Sequence, residues 1–145
     1  MKAVIQRVSE AAVRVDGQTV GQIGAGALVL FGVEKGDDQT KLEWMANKTV
    51  NLRMFCDAAG KMNQSVLDLQ GELLVVSQFT LCADCRSGRR PDFGNSAPAD
   101  LASELYEQFV LKLKQQVGTV QTGVFGAKMK VSLINDGPVT FLLER

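Results

Sequence analysis

Residues 2–23 read KAVIQRVSEAAVRVDGQTVGQI, and this stretch decides the fold. Val4, Val8, Val13 and Val15 stand among polar neighbours, and the Asp16-Gly17 pair that follows is a strong two-residue hairpin signal. The pattern predicts a strand, a tight turn and a second strand through Ile23. Immediately afterwards, Ala27 to Val33 is a short, nearly continuous apolar run, bounded by glycines and by Glu34-Lys35-Gly36-Asp37-Asp38. Such a run is expected of a buried central strand. The opening third therefore predicts three strands in one antiparallel sheet.

From Thr40 the period changes. Leu42, Met45, Ala46, Thr49 and Val50 fall at helical spacing, with Thr40 and Glu43 placed as a capping box. Two strands flank the Asp57-Ala58-Ala59-Gly60 turn, and another, Glu72 to Val76, follows Gln70-Gly71. Cys82 to Ser96 lacks periodicity and is rich in Arg, Gly and Asp, which predicts a loop. Ser96 stands ahead of Pro98, a residue favoured in a first helical turn, and Leu101, Leu105, Phe109 and Leu113 recur every four positions up to Gly118. Val120 to Thr122, Met129 to Ile134 and Val139 to Leu143 read as strands, the last two separated by an Asp-Gly-Pro turn. With no repeat or linker, the expectation is one α+β domain, residues 1–145, a mainly antiparallel sheet with two helices.

Composition narrows the chemistry. A chain of 145 residues with 46% apolar and 22% charged residues fits a soluble globular protein. The longest apolar stretch, Ile23 to Val33, is broken by glycines and is too short to span a bilayer, and residues 1–7 lack a signal core. The reading is cytoplasmic, with no membrane. Three cysteines cannot all pair within one chain. Lys plus Arg equals Asp plus Glu at 16 each, so any nucleic-acid contact must be a local patch. There is no histidine, which removes the Ser-His-Asp and Cys-His mechanisms and the commonest metal ligand.

Cys82-Ala83-Asp84-Cys85 has half the spacing of a zinc or redox site, but with Cys56 the set still lacks a fourth ligand, so no metal and no cofactor are expected. Arg86, Arg89 and Arg90 form the only dense basic cluster, either a phosphate grip or a solvated loop. Ser77-Gln78-Phe79-Thr80-Leu81 sets two hydroxyls and an amide at the end of an apolar strand. Strand alternation would send Ser77, Phe79 and Leu81 to one face and Gln78 and Thr80 to the other. Without histidine neither hydroxyl has an obvious base, and the plain alternative is a strand end bonded to nearby backbone. Gly137-Pro138 after Asn135-Asp136 is, by itself, a turn.

Taken together, these segments resemble the D-aminoacyl-tRNA deacylase family in its bacterial and eukaryotic homodimeric form. The resemblance runs through Ala3-Val4-Ile5-Gln6-Arg7-Val8-Ser9, Gly24 to Leu30, Gly60-Lys61-Met62-Asn63 and Ser77-Gln78-Phe79-Thr80-Leu81. It continues through Arg90-Pro91-Asp92-Phe93, Leu105 to Phe109, Thr122 to Ala127 and Asn135-Asp136-Gly137-Pro138-Val139-Thr140, with departures at the cysteine-bearing loop and Lys128. It implies a barrel-like homodimer that hydrolyses D-aminoacyl-tRNA and glycine mischarged onto alanine tRNA. It also implies a cis Gly137-Pro138 peptide that reaches into the partner's pocket and excludes L-amino acids. Ser77, Gln78, Phe79 and Thr80 would hold the terminal adenosine and the aminoacyl group. Catalysis would rest on backbone N–H groups near Phe79 and Thr80 and on the ribose 2′-hydroxyl, and the basic cluster would be a candidate tRNA contact. An older reading makes Thr80 the nucleophile. Rival classes are a non-catalytic RNA-binding dimer and a thiol or zinc protein.

Overall fold

The computed structural model describes residues 1–145. Strand β1 (Lys2–Val15) turns at Asp16-Gly17, both at positive φ, into β2 (Gln18–Ile23), and the chain runs on into β3 (Gly26–Gly32). β1 pairs antiparallel with β2 through residues 11–15 and with β3 through residues 2–8. The two later strands thus lie end to end along one edge of β1. Helix α1 (Gln39–Asn51) and the small β4–β5 hairpin (Phe55–Cys56, Met62–Gln64) follow, then β6 (Glu72–Ser77), a single 3-10 turn (Phe79–Cys82) and helix α2 (Ala99–Lys114). β7 (Thr119–Thr122) and β8 (Lys130–Glu144) complete the chain.

The antiparallel opening is as expected, while β3, β6 and β7 run parallel to one another. Parallel strands are buried on both faces and read as unbroken apolar runs, which is how Ala27–Val33 and Leu73–Val76 read. Their alternation divides two apolar layers. Ala27, Val29, Phe31, Leu73 and Val75 face the helices, where Phe31 stacks on Phe109 with ring centroids 4.2 Å apart. Leu28, Leu74 and Val76 face the other way, onto Val8, Ala11, Val13 and Ile23. The sheet curls around this second layer into a nearly closed barrel. A Cβ on Gly21 of β2 would come within 2.4 Å of the Thr122 carbonyl oxygen on β7, so glycine is what allows the two edges to approach.

Three local expectations change. The cap of α1 is Asp38, whose Oδ1 accepts from the Lys41 N–H at 2.9 Å, two residues earlier than a box built on Thr40 and Glu43. An Asp directly ahead of the helix outcompetes a Thr already inside it. Helix α2 starts at Ala99, with Pro98 just outside it.

The third change concerns the C-terminal strands. Met129–Ile134 and Val139–Leu143 are not a hairpin, because β8 stays on β1 along its whole length. Gln6 faces Thr140 and Val8 faces Asn135, so Arg7 alone stands opposite Asp136, Gly137, Pro138 and Val139. The Asp-Gly-Pro signal marks a large bulge within a strand rather than a reversal.

Candidate functional site

Where β3 and β6 end side by side, Phe31 against Ser77, a cavity of about 500 Å³ opens. Crevices beyond the carboxyl ends of parallel strands are where ligands settle in open α/β sheets. Its walls come from the ends of both strands, the 3-10 turn, the first turns of α2, the Phe125-Gly126-Ala127 turn and the start of β8. Of 17 lining residues 12 are hydrophobic, Tyr106 with its phenol among them, and the others are Ser77, Gln78, Ser96 and two glycines. Tyr106 is the only lining residue with a titratable side chain.

The ladder continues one step past β6, with Gln78 N–H on the Phe31 carbonyl at 2.8 Å, and then the chain leaves the sheet. Strand alternation therefore stops at Ser77, and the expected division of Phe79 and Leu81 from Gln78 and Thr80 is replaced by helical winding. The first bond of the turn runs from Leu81 N–H to the Gln78 carbonyl at 3.3 Å. The N–H groups of Phe79 and Thr80 lie ahead of it and have no acceptor inside the turn. The turn is seated hard against β3: a Cβ on Gly32 would lie 2.9 Å from both the Gln78 carbonyl oxygen and Cys82 Sγ.

Ser77, Gln78 and Phe79 line the cavity, while Thr80 does not. The Thr80 side chain is exposed and accepts a short bond from Gln78 Nε2, which makes it a partner of the glutamine amide. Phe79 is 59% exposed and leans on Phe93, ring centroids 5.1 Å apart. Arg86 is folded back onto Asp84, its Nε 2.9 and 3.0 Å from the two carboxylate oxygens, and this contact holds the Asp84 carboxyl well below the usual range. Arg89 and Arg90 are exposed and form no ion pair. Cys82 is buried, its thiol donating to the Val33 carbonyl at 3.4 Å, whereas Cys85 and Cys56 are exposed.

Gly137 and Pro138, joined by a cis peptide bond, are exposed on the β8 bulge and take no part in lining this chain's own cavity. Sequence reasoning missed what braces them. Asn135 bridges the bulge, its Oδ1 accepting from Val139 N–H at 2.8 Å and its Nδ2 donating to the Val139 carbonyl at 3.1 Å. Arg7 fills the gap left opposite, donating from Nε to the Asp136 carbonyl at 2.7 Å and from Nη1 to the Met54 carbonyl at 2.8 Å. The available signal was an arginine between Gln6 and Val8 in a strand, since a long cation there needs acceptors. Ser96 was visible only as a helix preface, yet its Oγ is buried beside the cavity without a partner.

Two buried groups make the fold alkali-sensitive. Burial pushes the Cys82 thiol up to about 11 from 9.0 and the Tyr106 phenol up to about 12 from 10.0, and the phenol donates to the Val75 carbonyl at 2.9 Å. Both stay protonated in the folded chain after they have ionised in the unfolded one. Their contribution is thus complete below about pH 9 and is lost as pH rises through the folded values. Urea midpoints should fall between about pH 9 and 12. Tyr106→Phe should flatten the upper part of that decline, and an unchanged slope would remove the phenol from the account.

A sequence profile described as D-Tyr-tRNA(Tyr) deacylase matches residues 4–144. A D-aminoacyl-tRNA deacylase of Geotalea uraniireducens is 63% identical over 144 residues, 99% of this chain and 93% of that protein. One from Thermosipho africanus is 58% identical, over 99% of this chain and 97% of its own. Among solved structures, the c-Myc DNA Unwinding Element Binding Protein superposes with a TM-score of 0.96 at 44% identity, covering 100% of this chain and 99% of the other. The cavity at the end of β6 and the braced bulge on β8 thus sit on a sequence related along almost all of its length to these proteins, and the chain belongs to the D-Tyr-tRNA(Tyr) deacylase family.

Proposed function

We propose that this protein hydrolyses the ester bond of D-aminoacyl-tRNA, and of glycine mischarged onto alanine tRNA, releasing free amino acid and tRNA in the cytoplasm. The deacylase reading itself follows from the family. No helix is long and apolar enough to cross a membrane. The working unit is a homodimer. The observation that carries the finer reading is the separation of the two motifs. Gly137 and Pro138 are exposed and lie outside their own chain's cavity, which supports a role for them in the cavity of a second copy.

There, the glycine and proline carbonyls face the α-carbon and repel an L side chain, while a D side chain points away and glycine has none to repel. Discrimination by exclusion needs no pocket shaped to each D side chain. Ser77, Gln78 and Phe79 hold the terminal adenosine and the aminoacyl group, and Thr80 contributes through its backbone. The Phe79 and Thr80 N–H groups, without acceptors in their own turn, stabilise the oxyanion as the ester carbonyl is attacked.

Incubation with matched D- and L-aminoacyl-tRNAs tests the whole reading. The D ester is expected to be cleared and the L ester spared, whereas protection of both would make the protein an RNA binder. Thr80→Ala addresses the rival nucleophile. Because the hydroxyl is exposed and engaged by Gln78, the variant should keep its single-turnover rate within about fivefold, a change of about 1 kcal/mol. Loss by several orders of magnitude would restore Thr80 as the attacking group.

A further inference from the structure

Phe79 is placed at the terminal adenosine above, whereas Phe93, the ring it leans on, has no role there. Phe79 and Phe93 are 59% and 41% exposed, tilted at 47° to one another. Phe93 ends a loop whose base is closed by paired backbone bonds between Asp84 and Asp92 at 2.7 and 2.9 Å. Gly88, at φ +69, turns the chain at the loop's tip. Arg86 is spent on Asp84, which leaves Arg89 and Arg90 as the free cations, with Arg90 three residues before Phe93 and so within about 11 Å along the chain.

We propose that Phe79 and Phe93 form a stacking shelf for an unpaired nucleobase of an RNA strand leading out of the cavity, and that Arg89 and Arg90 hold that strand's phosphates. Open aromatic faces next to unpaired cations are how proteins grip single-stranded nucleic acid without reading its sequence. Here the grip falls on the nucleotides just before the reacting terminal adenosine. Charge favours an RNA strand over a protein partner, because Arg89 and Arg90 have no carboxylate partner, while of the two acids at the loop's base Asp84 is paired with Arg86 and Asp92 accepts from the Gly94 N–H at 3.0 Å. The proposal rests on the deacylase reading, and the test separates the two.

Wild-type protein is assayed on a D-aminoacyl-tRNA and on the matching D-aminoacyl-adenosine, which lacks the preceding nucleotides. Hydrolysis of neither would defeat the deacylase reading, and with it the RNA whose strand the shelf receives. Phe93→Leu keeps an apolar side chain against Phe79 but removes the aromatic face. Its kcat/KM on tRNA should fall about 5- to 100-fold, through KM, while that on aminoacyl-adenosine stays within twofold. Phe93→Trp should restore the tRNA value. Equal losses on both substrates would make Phe93 a support of the catalytic turn, and no loss on either would leave the shelf empty; both overturn the proposal. So would a weakened dimer at unchanged KM, since the shelf would then belong to the partner subunit. Replacing Arg89 and Arg90 with Gln should lower the salt slope of tRNA binding by about 0.7 for each charge, about 1.4 together. An unchanged slope would remove them as phosphate contacts.

Discussion

A D-aminoacyl-tRNA ending in 2′-deoxyadenosine should resist this protein, with a single-turnover rate lower by about 10²–10⁴-fold, the usual contribution of a positioned acid or base. The cavity offers nothing to replace the missing hydroxyl. Its lining holds no carboxylate, thiol, amine or guanidinium, and its one titratable group, Tyr106, is engaged by the Val75 carbonyl and pushed up to about 12. With no histidine in the chain, the proton of an attacking water has no side chain to receive it near neutral pH. The neighbouring ribose hydroxyl is the remaining group held beside the ester, and such intramolecular assistance gains from fixed geometry. Ordinary cleavage of the deoxy substrate, measured by release of labelled amino acid, would return the chemistry to the protein.

Gly32→Ala should be the most damaging single methyl group near the site. The new Cβ would sit 2.9 Å from the Gln78 carbonyl oxygen and from Cys82 Sγ, so the 3-10 turn must move off β3. The Phe79 and Thr80 N–H groups move with it. Loss of one well-placed oxyanion donor costs about 10²–10³ in kcat, and a fall of about 100-fold is expected here. Stability should drop by about 1–3 kcal/mol through overpacking. Gly118→Ala is the control, because no atom lies within 4 Å of its added Cβ, and both quantities should stay unchanged. A Gly32→Ala enzyme that unfolds earlier yet turns over normally would show that the turn's position is irrelevant to catalysis.

Much of this arrangement was legible in the residues. Hydrophobic period separated the helices from the strands, and Asp16-Gly17 fixed the first hairpin, because both signals act over a few residues. Ser77 to Thr80 could be singled out, but not the winding that takes Thr80 out of the cavity and aims its hydroxyl at Gln78. That winding needs the room left by Gly32, 47 residues before Phe79 and in contact only once β3 and β6 are paired. The β8 bulge was misread for the same kind of reason. Asn135-Asp136-Gly137-Pro138 carries local turn chemistry, while what holds the chain on β1 is Arg7 and eleven paired positions between two distant strands. Local propensity yields to such tertiary pairing.

The course of β8 also bears on how the protein is made. β1 is synthesised first and gains its inner neighbours within a short hairpin, but the strand that covers its other edge is made last, Lys2 meeting Glu144. At bacterial or eukaryotic elongation speeds, on the order of ten seconds pass in which one long edge of β1 waits unpaired. Such edges invite pairing with other chains, and contacts this remote in sequence form slowly. The bulge on which substrate handedness is proposed to depend is therefore among the last parts to be built, and nascent chains are committed to their most aggregation-prone interval before it exists.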